Sequence, residues 1–223
     1  MQAITFQTED GLELEGEVRQ PDGAAVGSAV ICHPHPQYGG SKDHPLLWAI
    51  RIALAGRGFA VLSFNFRGVM GSEGAFGGGV DEVKDVRAAV GRARQEAGGP
   101  TFVCGWSFGA HVALRTALED GRIEALALVA LPLHEGGTEL PDVPNLPESE
   151  RLQAFDRPVL LLAGDSDPYC PVPELLVMAG RLPRSSVEIV SGAGHYFGKR
   201  EQEAARLVAE FAVKSLSGSA GPQ

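Results

Sequence analysis

Gly105-Trp106-Ser107-Phe108-Gly109 is a G-x-S-x-G pentapeptide. That spacing raises a serine hydroxyl on a sharp strand-to-helix turn. The apolar run 101–106 precedes it, and Ala110, Ala113, Leu114, Ala117 and Leu118 follow at helical spacing, which is the context the pattern needs. Glycines at both ends leave room for the turn. The free N–H groups at a helix N-terminus face any negative charge developing beside the serine. The chemistry this predicts is attack of Ser107 Oγ on an acyl carbon. The plainer reading is a serine capping an ordinary helix.

A serine hydroxyl needs a base, and the base needs an orienting acid. With G-x-S-x-G the partners follow in the order serine, acid, histidine. Six histidines are present. His33, His35 and His44 precede the serine, His111 lies one turn along the same helical stripe, and His134 precedes any plausible acid. His195 remains, in the glycine-rich Ser191-Gly192-Ala193-Gly194-His195-Tyr196-Phe197. This loop lies between the last strand pattern and the last helical one, at the sheet edge where ligands bind in open α/β folds. The acid belongs in Gly164-Asp165-Ser166-Asp167-Pro168, after the run 159–163. Spacing alone leaves Asp165 and Asp167 both open. The first could instead fix its own loop through an Asx turn.

Acyl transfer also requires two N–H donors for the tetrahedral oxyanion. One is expected from Phe108, the residue after the nucleophile, and the other from the loop after the first parallel strand. That loop reads His33-Pro34-His35-Pro36-Gln37-Tyr38-Gly39-Gly40. Pro34 and Pro36 have no N–H to give, so His35 is the expected donor, with Gln37 or Tyr38 next. Neither HxxxH spacing nor a carboxylate cluster accompanies the two histidines, so a metal site is not expected.

These residues must be placed by a scaffold. Residues 3–8 and 12–19 read as two strands joined at Asp10-Gly11, a strong hairpin signal. In the second, Leu12, Leu14, Gly16 and Val18 alternate with Glu13, Glu15, Glu17 and Arg19, a pattern with one wet face. Beyond them the apolar runs 29–32, 59–64, 101–106, 123–131, 159–163 and 187–190 lack alternation, as strands buried on both faces do. Helical patterns at 46–55, 80–97, 110–118, 175–182 and 203–216 lie between them. The expected architecture is an α/β fold with eight strands and helices on both faces. It forms one domain over 1–216, followed by a frayed tail at 217–223. The excursion 132–158 is too small for a large lid.

The 223 residues carry 28 acidic and 19 basic side chains, a net charge of −9, and are 44% hydrophobic. This describes a globular chain. The acidic balance argues against nucleic acid or an anionic membrane as partner. No apolar run reaches the roughly 18 residues of a membrane span, and no signal peptide is visible. Cys32, Cys104 and Cys170 form no metal or redox spacing. A cytoplasmic protein is the expectation.

The pieces HPHPQYGG (33–40), FNFRGV (64–69), GSEG (71–74), GWSFGA (105–110), GDSDPYCP (164–171) and GAGHYF (192–197) run in one order over most of the chain. Together they resemble the α/β-hydrolase superfamily, and within it the small lidless bacterial hydrolases near dienelactone hydrolase. The resemblance implies a mostly parallel eight-stranded sheet with strand two antiparallel, and it favours Asp167 over Asp165 as the acid. Dienelactone hydrolases proper use cysteine where this chain has Ser107, and the chain departs from its relatives at Met70, His44-Pro45 and Gly77.

The function this implies is hydrolysis of small or short-acyl carboxylic esters by Ser107, Asp167 and His195, with no cofactor and no metal. Tyr38 and Trp106 are the weaker candidates for touching substrate. Trp106 could instead be buried behind the turn, and Trp48 and Phe108 could line an acyl pocket. Arg67 is read as bracing its loop in preference to holding a substrate carboxylate. Thioester or amide hydrolysis would use the same residues, and a non-catalytic binding protein would usually lack one of the three.

Overall fold

The computed structural model describes residues 1–133, 143 and 145–217. The expected tail therefore falls, apart from Ser217, outside the described residues, as does most of 134–144. The chain runs β1 (Gln2–Gln7), β2 (Glu13–Arg19), β3 (Gly27–Cys32), α1 (Pro45–Ala55), β4 (Phe59–Phe64), α2 (Glu82–Ala97), β5 (Thr101–Trp106), α3 (Phe108–Glu119) and β6 (Ala125–Val129). It continues through α4 (Ser149–Gln153), β7 (Val159–Gly164), α5 (Val172–Gly180), β8 (Ser185–Val190) and α6 (Glu201–Leu216). The strands form one sheet in the order β1-β2-β4-β3-β5-β6-β7-β8. β2 pairs antiparallel with both neighbours, and the pairs from β4 to β8 are parallel. This is the α/β-hydrolase architecture.

The uninterrupted apolar strands follow from cover on both faces. Side chains alternate across a strand, so each strand serves two cores. Val30, Leu62, Val103, Leu126 and Leu161 pack with α2, α3 and α5. Ile31, Val61, Phe102, Ala127 and Leu160 pack with α1 and α6 on the opposite face. Cys32 and Cys104 fall on opposite faces for the same reason. All three thiols are buried and free.

Three expectations need correction. β8 is not buried on both faces: as the outermost strand it leaves Ser186, Glu188 and Ile189 exposed and hides only Val190. The run 123–131 yields a strand only over Ala125–Val129, because Ala130 turns out of the sheet at φ 48°. The polar face of β2 is not simply wet. Glu17 accepts from the buried Arg51 at 2.8 Å and from Lys42 at 3.2 Å, and Glu15 accepts from Asn65. A short helix, α4, also forms inside the excursion 132–158.

The loop after β4 is held by ionic contacts. Arg67 is buried; its Nε and Nη2 donate to Asp85 of α2, and its Nη1 and Nη2 donate to Asp10 of the β1–β2 turn. The Arg67 backbone N–H also donates to Asp85. Burial pushes the Asp85 carboxyl up to about 6, and Arg67 keeps it ionised at neutral pH. Arg67 is thus the loop brace the sequence favoured. Truncating it strands a buried carboxylate, which typically costs 3–5 kcal/mol. Arg67→Ala is expected to lower the urea-unfolding free energy by about that much, and Arg67→Ala/Asp85→Ala to recover part of it.

Candidate active site

β5 ends in Trp106 and α3 begins at Phe108, so Ser107 alone makes the turn between them. Its backbone sits at φ 56°, ψ −119°, a strained conformation for a residue with a Cβ. Its N–H donates to Val129 O of the neighbouring β6 at 2.8 Å, and its carbonyl accepts from Ala110 N at 2.9 Å. The flanking glycines are required by close approach. A Cβ on Gly105 would lie 2.2 Å from Gly109 O, and one on Gly109 would lie 2.4 Å from Cys32 O. The start of α3 therefore lies directly against the end of β3.

His195 Nε2 lies 3.0 Å from Ser107 Oγ, and Nδ1 lies 2.9 Å from Asp167 Oδ2. All three residues are buried. Asp167 Oδ1 also accepts from the backbone N–H groups of Tyr169 (2.9 Å) and Cys170 (3.2 Å). These bonds fix the carboxylate while it holds the imidazole. Asp165 takes another part. It is exposed and accepts from Gly192 N at 2.9 Å and Ser191 Oγ at 3.1 Å, and these bonds hold its carboxyl below the usual range. It ties the loop after β7 to the loop carrying His195. A second tie is packing: a Cβ on Gly164 would lie 2.1 Å from Ala193 O.

The loop after β3 is held by its own side chains. His33 is neutral: its Nδ1–H donates to Pro34 O at 2.6 Å, and its Nε2 accepts from Phe66 N at 3.0 Å. Gln37 N donates to His35 Nδ1 and Tyr38 N donates to His35 O. Both alternative oxyanion donors are therefore already engaged. The His35 and Phe108 rings meet at a 58° tilt with 5.0 Å between centroids. Lys42 N donates to Asn65 Oδ1 at 2.8 Å, tying this loop to the one after β4.

The weaker expectations divide. Tyr38 is 58% exposed, with its ring against His35. Trp106 is fully buried, so it does not line an open cleft. The alternation of β5 turns it into the face beneath the His195 loop, where its Nε1–H donates to His195 O at 3.2 Å. Phe108 is likewise buried, while Trp48 on α1 is exposed. His111 does not reach Ser107; its Nε2–H donates to Pro132 O at 2.8 Å, and its Nδ1 has no hydrogen-bond partner among the described residues. His134 lies outside the described residues. Burial pushes the Cys104 thiol up to about 12 and raises the Cys32 and Cys170 thiols as well, so none of them competes as nucleophile. Among the described residues no group of three His, Cys, Asp or Glu side chains could hold a metal ion, and no helix is long and apolar enough to cross a membrane.

The model of an alpha/beta hydrolase domain family matches residues 29–215. An uncharacterized protein of Rickettsia prowazekii is 25% identical over 221 residues, covering 96% of this chain and 89% of that protein. An alpha-beta serine hydrolase homologue from Coxiella burnetii superposes with a TM-score of 0.81 at 26% identity, covering 94% of this chain and 96% of that one. An alpha/beta serine hydrolase without lid from Xanthomonas campestris gives 0.80 at 25% identity, covering 99% and 96%.

Burial holds His33 and His111 neutral down to about pH 4 in the fold, against 6.5 for a free imidazole. Between those values the unfolded chain binds the extra protons. Stability therefore rises with pH there, and it is lost as pH falls from 6.5 towards 4, by on the order of 3 kcal/mol per imidazole. His111→Gln keeps a donor for Pro132 but does not titrate. Urea unfolding at pH 6.5 and pH 4 should show a larger acid loss in the wild type than in this variant, by about that amount; equal losses would exclude a neutral buried His111.

Proposed function

The chain belongs to the alpha/beta-hydrolase family, and from that premise we propose that it is a serine esterase acting on small or short-acyl carboxylic esters. Ser107 Oγ attacks the acyl carbon while its proton passes to His195 Nε2. Asp167 holds Nδ1–H and stabilises the imidazolium. The N–H groups of Phe108 and His35 receive the oxyanion. His195 then protonates the departing alcohol, leaving an ester on Ser107. Water, deprotonated by the same imidazole, attacks this acyl-enzyme and releases the acid.

The observation that carries the reading is the unbroken hydrogen-bonded path from Asp167 through His195 to Ser107 Oγ. It is assembled from three separate loops on the side of the sheet where the parallel strands end. The family's serine hydrolases supply the reaction class, and Ser107 in place of a cysteine argues against dienelactone hydrolase activity itself. The buried free thiols suit a reducing cytoplasm. We take residues 1–216 as one domain that works on a small molecule without cofactor, metal, nucleic acid or membrane.

Intact mass after treatment with a fluorophosphonate should show one adduct on the native chain and none on Ser107→Ala or heat-denatured protein. Ser107→Ala should lower kcat on a short-chain ester by roughly 10⁴-fold or more, and an active variant would refute the assignment. The two aspartates separate the roles further. Asp167→Asn should cost about 10⁴-fold in kcat, whereas Asp165→Asn, which weakens the ties to Ser191 and Gly192 and leaves His195 its own partners, should stay within about tenfold.

A further inference from the structure

Two of the chain's three tyrosines stand against His195. Tyr38 lies on the loop of the expected oxyanion donor. The other two bracket His195. The Tyr169 ring meets it edge-on at 4.8 Å and 69°, and the Tyr196 ring at 5.4 Å and 89°. No phenylalanine of the chain is exposed, yet Tyr196 is 63% exposed and Tyr169 is half-buried. Among the described residues neither phenol hydroxyl has a hydrogen-bond partner, so neither ring is held in place by its polar end.

The position of these rings relative to the reaction decides what they can touch. His195 Nε2 must lie within hydrogen-bond reach, about 3 Å, of the oxygen it protonates. That oxygen belongs to the departing alcohol. The oxyanion is directed instead towards Phe108 and His35, and the acyl chain leaves the tetrahedral carbon in a further direction. The first atoms beyond the leaving oxygen are thus the ones that pass the flanks of His195, where Tyr169 and Tyr196 stand. A planar π-system there meets ring faces and edges that an aliphatic group of equal size cannot match. Aromatic pairing adds to simple burial by a factor of about 2 to 10 per ring contact.

We propose that Tyr169 and Tyr196 form a subsite for an aromatic leaving group, so that the esters this chain prefers are those of aromatic alcohols. The proposal rests on the serine-esterase reading. Trp106 supports the same wall from behind: its indole packs edge-on to Tyr196 at 5.9 Å while donating to His195 O.

The test compares benzyl acetate with cyclohexylmethyl acetate, which share an acyl group and have primary alcohol leaving groups of similar size and acidity. The ratio of their kcat/KM values is the readout. We expect at least a fivefold preference for the benzyl ester in the native chain. Tyr169→Ala/Tyr196→Ala should bring the ratio to about 1, and Tyr169→Phe/Tyr196→Phe should keep it. A native ratio below two, or a preference that survives the alanine pair, overturns the subsite. So does failure to hydrolyse either ester by a chain that still takes up the fluorophosphonate at Ser107, and that outcome leaves the nucleophile standing. Absence of both turnover and adduct from folded protein removes the esterase reading and the subsite with it.

Discussion

A single non-glycine residue held at positive φ between a strand and a helix is the constraint on which this structure turns. Ser107 can keep φ 56° only because its surroundings over-determine it. Its N–H is bound to β6, its carbonyl caps the first turn of α3, and Gly105 and Gly109 let backbone pass where no Cβ would fit. The same contacts fix more than the serine. Gly109 presses against the carbonyls of Cys32 and His33, so the start of α3 and the loop after β3 cannot move independently. The proposed oxyanion donors, the Phe108 and His35 N–H groups, lie on these two coupled segments. Moving the helix to relieve the strain would also displace the end of β3.

The remaining groups are carried by loops, and loops are ordinarily the mobile part of a fold. Here polar side chains do for them what a hydrogen-bonded ladder does for a strand. Neutral His33 joins the loops after β3 and β4, Asn65 adds a second link through Lys42 N, and Asp165 joins the loops after β7 and β8. Trp106 reaches from the end of β5 to the carbonyl of His195. Each link reaches a backbone group of a different segment, so the loops hold one another. For the buried links of His33, Asn65 and Trp106, an unmade bond carries the full desolvation penalty, and that penalty keeps them complete. His33 must stay neutral to accept from Phe66, so burial that depresses its basicity serves the geometry directly.

Much of this was legible in the sequence because strong local patterns encode it. Strands covered on both faces leave unbroken apolar runs, and G-x-S-x-G between a strand and a helix has one geometric meaning. What was not legible depends on where a distant segment passes. Asp165 and Asp167 share one turn, and spacing could not separate them. The family resemblance favoured Asp167; the physical reason is that Gly192 passes beside Asp165, while His195 turns inward to Asp167. Trp106 looked equally fit to face substrate or core, and only the parity of β5 beneath the His195 loop decides it. Glu15 and Glu17 read as a wet face because Arg51, Lys42 and Asn65 reach them from beyond the hairpin. The run 187–190 suggested cover on both faces, but β8 is the outermost strand and buries only Val190.

The proposed acid, Asp167, illustrates how burial and hydrogen bonding divide the work of two carboxylates. Asp167 accepts from two backbone N–H groups as well as the imidazole. These donors fix its direction, so it holds the His195 ring in one orientation. The imidazole thereby lies with Nδ1 against Asp167 and Nε2 turned to Ser107. Asp165, in the same turn but open to solvent, spends its charge on the loop that carries that imidazole. Two carboxylates of identical chemistry thus take different tasks through environment: the buried one sets the tautomer, and the exposed one sets the position of the ring.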